Sequence, residues 1–80
     1  MNSSDIKKNI FKLIKTVLNL QYNVVEDDLN ENLPEWDSLK QLSIVFALEE
    51  EFDIKLKNDE IEKCTNYYEV CNIVIKKINE

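Results

Sequence analysis

The sequence predicts an all-α fold: a small four-helix bundle of three longer helices and one short one, with a long loop after the first helix. Apolar residues recur three or four apart in three separate stretches, and residues suited to capping a helix stand just ahead of them. Strand-like alternation is confined to 52–56, too little to build a sheet. Eighty residues are expected to form one domain spanning 1–80, a size that buries only about 60% of the surface of the unfolded chain.

The first helix is predicted over about 5–18, with Ser3 or Ser4 as its cap. Ile6, Ile10, Leu13, Ile14 and Val17 form its apolar stripe, and Lys7, Lys8, Lys12 and Lys15 gather on another face as a solvated surface. Residues 19–36 hold the turn formers Asn23, Asn30 and Asn32, several acids and the only Pro. A connection of this length in a compact domain is often functional. Val24, Val25, Leu29 and Leu33 are expected to anchor it against the helices. The second helix is predicted over 38–52 behind Asp37, a short acidic side chain able to hold the first free amides. Phe52-Asp53-Ile54-Lys55-Leu56 reads as an extended connector, and Asn58 as the cap of a short helix over 59–63. Asn66 followed by Glu69 opens the last helix, whose face should hold Tyr67, Val70, Cys71, Val74 and Ile78.

Composition removes whole classes of function. There is no His and no Gly. That excludes histidine-activated nucleophiles, His metal sites and glycine-rich phosphate loops, so no catalytic residue and no metal site is assigned. Cys64 and Cys71 fit no zinc or redox spacing and are read as buried apolar thiols. The net charge of −6 is unevenly spread. Residues 26–62 carry 13 acids against three Lys, whereas the rest of the chain has a net charge of +4. The acidic middle and the lack of Arg argue against a nucleic acid partner and for a basic protein surface. No apolar run approaches the roughly 20 residues of a membrane helix. The opening residues lack the blocks of a secretory signal, so a cytoplasmic location and no membrane are expected.

The second helix is the most informative element. At about 100° per residue, Ile44, Val45, Leu48 and Phe52 share one arc, and Leu39, Leu42 and Phe46 share the next. The apolar surface therefore covers about 220°, more than a single-sided surface helix needs. Either this helix is central to the bundle, or the Leu39–Leu42–Phe46 ridge meets something transient. Ser38 opens the helix with its hydroxyl at the positive end of the dipole, where a phosphate ester would meet free amides. An Asp-Ser pair at such a place also serves simply as a cap.

The segment Asp37-Ser38-Leu39, followed by Phe46-Ala47-Leu48-Glu49-Glu50-Glu51-Phe52-Asp53-Ile54, closely resembles the acyl carrier protein family. The resemblance takes in Leu33, the short helix and the Asn66–Glu69 start, and so nearly the whole chain. It implies that Ser38 carries a 4′-phosphopantetheine arm whose thiol holds an acyl or aminoacyl group as a thioester. Asp37 is then the acid that assists modification by a phosphopantetheinyl transferase. The reactive sulfur belongs to the arm, which explains why the chain has no chemistry of its own. Family likeness also makes the second helix the recognition element, with Leu39, Leu42, Phe46, Glu49, Glu50 and Glu51 meeting acyl-loading and acyl-using enzymes that have basic patches. A monomer is expected.

Pro34-Glu35-Trp36 and Phe46 stand where many fatty-acid carriers have Gly and Met. Lys40 and Ser43 stand where those carriers are usually acidic, and Lys40 should weaken attraction to a basic patch. These features are familiar from carriers of dedicated pathways, such as aminoacyl carriers and those of polyketide, peptide or surface-polysaccharide assembly, so that fatty-acid, polyketide or other dedicated biosynthesis all stay open. The rival reading is a carrier-like helical module that binds a partner and is never modified.

Overall fold

The computed structural model describes residues 2–20, 23–30 and 33–79. Four α-helices follow one another: α1 (Ser3–Leu18), α2 (Ser38–Phe52), the short α3 (Asn58–Lys63) and α4 (Tyr67–Ile78). A single turn of 3-10 helix, Asp28–Asn30, interrupts the long loop. The four-helix expectation holds, including the extent of α2. Asn32, expected to form a turn, lies outside the described residues. Among the described residues no helix is long and apolar enough to cross a membrane.

The chain stops its helices without glycine. Asn19 ends α1 at φ 54° and Asp53 ends α2 at φ 53°, both left-handed. Asn and Asp tolerate this region best after Gly, because their short polar side chains bond locally. At each end a backbone amide further on reaches back to close the last turn, Leu20 to the Lys15 carbonyl and Ile54 to that of Glu49, both at 3.2 Å.

At the start of α1 the cap is Asn2 rather than Ser3 or Ser4, since its Oδ1 accepts the Asp5 amide at 2.9 Å. Three consecutive residues could each have served. α3 begins one residue earlier than expected, so Asn58 lies inside the helix; Glu60 closes the start instead, its Oε1 accepting the Lys57 amide at 2.8 Å. Asn66 caps α4 as expected, accepting the Glu69 amide at 2.8 Å.

The core lies where α2 and α4 pack against α1. Ile6, Ile10, Ile14 and Leu18 present one stripe of α1, and Ile44, Val45 and Leu48 answer from α2. α4 contributes Tyr67, Val70, Cys71, Ile73 and Val74. Ile78, expected on that face, is instead exposed at the end of the helix, and Ile73 is buried in addition. Phe11 meets Tyr67 edge-to-face at 6.0 Å, and Lys15 lies 5.6 Å over the Phe11 ring, so that lysine is not purely solvated. A Lys77–Glu60 ion pair at 2.9 Å fastens α4 to α3. The Lys57 amide and then the Lys77 ammonium hold the Glu60 carboxyl below its ordinary range.

Loop residues are tied down by their own side chains. Leu29 is fully buried and Val24 nearly so, whereas Val25 is 64% exposed, contrary to expectation. A turn explains the split: the Asp28 carboxylate accepts the Val25 amide, and the Asp28 amide returns to the Val25 carbonyl. Two adjacent residues in such a turn cannot both face inward. Asn30 Oδ1 accepts the Tyr68 amide at 2.8 Å, which docks the loop onto the start of α4.

Both cysteines are buried free thiols. Burial pushes Cys64 up to about 11 and raises Cys71 as well, so both stay protonated and inert near neutral pH. Their burial is as expected.

Candidate functional site

The loop delivers the chain to α2 through a turn at 33–36, in which the Trp36 amide bonds the Leu33 carbonyl at 3.0 Å. Pro34 stands at the second position of that turn, where its fixed φ fits. Leu33 and Trp36 pack against the core and set the entry angle. Asp37 follows in extended conformation and caps α2, its Oδ1 accepting the Lys40 amide at 2.9 Å. Ser38 is the first helical residue and is exposed. Asp37 and Ser38 therefore sit together at the open, positive end of α2.

The open question about α2 resolves toward an exposed ridge. Leu39 is 73% exposed, Leu42 43% and Phe46 64%, while the adjoining arc is buried. Ser43 lies beside the ridge, but its hydroxyl donates back to the Leu39 carbonyl at 3.2 Å, so little polarity is presented there. Glu50 and Glu51 are exposed beyond Phe46. Glu49 is different. Half-buried, it accepts the Leu56 amide at 2.9 Å and so braces the connector to α3.

Lys40 also departs from expectation. It is half-buried, and its Nζ reaches the Val17 carbonyl at 3.4 Å. The Lys15 and Thr16 carbonyls at the end of α1 are taken by backbone amides. Lys40 serves the next one, where a cation also suits the negative end of the helix. Its charge is therefore not a free element of the recognition surface. Lys40→Glu should set a carboxylate against that end and cost about 1 kcal/mol, or about 4–8 °C in melting temperature. Thermal unfolding followed by circular dichroism checks this, and an unchanged midpoint would make Lys40 a surface charge after all.

Two features were not anticipated. Gln41 Nε2 donates to the Ile61 carbonyl at 2.7 Å and ties α3 to α2. A groove of about 190 Å³ opens there, lined by Ser38, Gln41, Leu42, Ile61 and Glu62. A polar residue at a core-facing angle of α2 was the only signal for it. The second feature is the Trp36 indole nitrogen, which is enclosed and has no acceptor among the described residues.

The described residues thus form a helical bundle with an exposed serine at a capped helix start and an apolar ridge on the same helix. Known proteins make the class specific. The chain is 34% identical to an acyl carrier protein of Picosynechococcus sp. over 77 residues, covering 90% of this chain and 95% of the relative. It is 30% identical to one of Cyanidium caldarium over 79 residues, covering 91% of each chain. With an acyl carrier protein of Buchnera aphidicola subsp. Baizongia pistaciae the identity is 32% over 76 residues, covering 89% of this chain and 97% of the relative. No family model and no solved structure matches the chain. The chain belongs to the acyl carrier protein family. As a member of a family of carriers, it is not itself an enzyme.

Proposed function

We propose that residues 1–80 form one carrier domain that bears an acyl or aminoacyl group as a thioester on a 4′-phosphopantetheine arm attached to Ser38. The observation that carries this reading is the exposed Ser38 hydroxyl at the start of α2, in a chain of this family. The residues present suit the arm: the hydroxyl is open to a transferase, α2 offers its positive end to the phosphate, and the groove begins at Ser38 itself. When attached, the arm supplies the thiol that holds the cargo. Leu42 and Ile61 give the groove apolar sides against which a cargo chain could rest.

Partners in this reading are the phosphopantetheinyl transferase and the cargo-loading and cargo-using enzymes of a dedicated cytoplasmic pathway. Glu50 and Glu51 attract their basic patches at long range, and Leu39, Leu42 and Phe46 make the close contact. Asp37 has two jobs, capping α2 and supplying charge to the modifying enzyme. Asp37→Asn keeps an oxygen for the Lys40 amide but removes the charge. It should slow loading at least tenfold, about 1.4 kcal/mol of barrier, with helix content unchanged. Loading rates by mass spectrometry test the assignment, and equal rates for both proteins would refute it.

A further inference from the structure

The groove that begins at Ser38 gives a tethered chain apolar side walls, Leu42 from α2 and Ile61 from α3, but it is small, about 190 Å³. Six carbon atoms, as benzene, fill a cavity of about 150 Å³, whereas pockets for whole small molecules run to about 300–1,000 Å³. To take a longer chain, α2 and α3 have to part. Gln41 and Ile61 both line the groove, one on each helix, and the 2.7 Å bond from Gln41 Nε2 to the Ile61 carbonyl joins the two walls. The same carbonyl accepts the Cys64 amide at 3.1 Å, and Cys64 is fully buried. The Ile61 wall is thus held from both sides, although α3 itself buries no residue. Parting the walls strips the half-buried Gln41 amide of its acceptor, which is unfavourable. A larger cleft, about 360 Å³, lies between α1 and α2, but Ser38 does not line it. Ala47, which does, stands nine residues on, and so on the opposite side of α2 from Ser38 at about 3.6 residues per turn.

We infer that the Gln41–Ile61 bond is a latch that limits the cargo sheltered by this carrier to short acyl chains, of about six carbon atoms or fewer. The inference rests on the carrier reading above. A longer chain fills the groove and leaves its remainder in solvent, so added length brings no added burial.

The full-length chain is loaded with acetyl, butyryl, hexanoyl and decanoyl cargo, each form verified by intact mass, and thermal unfolding is followed by circular dichroism. The midpoint should rise stepwise to the hexanoyl form, and the decanoyl form should melt within about 1 °C of it. Gln41→Ala removes the latch. Gln41→Met removes the donor but keeps the length of the side chain, which guards the test against a poorly folded Gln41→Ala. In both variants the decanoyl form should melt at least about 4 °C above the hexanoyl form, because the walls can part around the longer chain. A parent whose midpoint goes on rising to the decanoyl form overturns the inference and leaves the carrier reading standing. Variants that level off at the hexanoyl form, as the parent does, overturn it as well, because the latch then does not set the limit. If the mass shows no added arm, the carrier reading itself has failed, and the inference with it.

Discussion

Ser38→Ala is expected to abolish attachment of the phosphopantetheine arm and to leave the bundle nearly as stable as before. Ser38 is exposed, and the cap of α2 is Asp37, whose bond to the Lys40 amide the substitution does not touch. Alanine is the better helix former, so any change in stability should stay within about 0.5 kcal/mol. The functional loss should be complete, because no other hydroxyl shares this place at the head of α2. Intact mass after incubation with a transferase and coenzyme A reads the loss, and circular dichroism reads the fold. An arm that persists, mapped to another residue, would move the site.

Leu29→Ala is the substitution expected to damage the fold most. Leu29 is fully buried beneath the single turn Asp28–Asn30, and it anchors a loop that must reach from the end of α1 to the start of α2. Truncating a buried leucine costs about 2–5 kcal/mol, depending on how far its surroundings collapse. Domains of ordinary stability hold only about 5–15 kcal/mol, so the mutant should be near its unfolding threshold. Urea unfolding gives the size of the effect. A loss below about 0.5 kcal/mol would mean the loop does not depend on Leu29.

Much of this architecture was legible because local rules decide it. Asp37 before an apolar-periodic run marks the start of α2, and Asn66 with Glu69 marks that of α4, since a cap acts over three residues. Locally degenerate choices were not legible. Asn2, Ser3 and Ser4 could all have capped α1, and either Val24 or Val25 could have faced inward until the Asp28 turn chose. Pairings across the chain were also hidden. Lys40 and Glu49 are charges in the sequence, but each is drawn to a backbone group at another element's edge, Val17 O and the Leu56 amide. The wheel of α2 showed too much apolar surface without saying where the excess lay. Only the placement of α1 and α3 against α2 leaves Leu39, Leu42 and Phe46 uncovered.

That uncovered ridge, beginning one residue after Ser38, places the proposed loading site and the recognition surface on one helix. In the proposed function Ser38 is the point of attachment. The most direct test is the intact mass of the unaltered protein after reaction with coenzyme A and a phosphopantetheinyl transferase of broad specificity, followed by peptide mapping. The expected result is a gain of one phosphopantetheine group, found on the peptide containing Asp37-Ser38-Leu39. An unshifted mass, under conditions that fully load a known carrier, would contradict the account and leave a carrier-like module that binds partners without being modified.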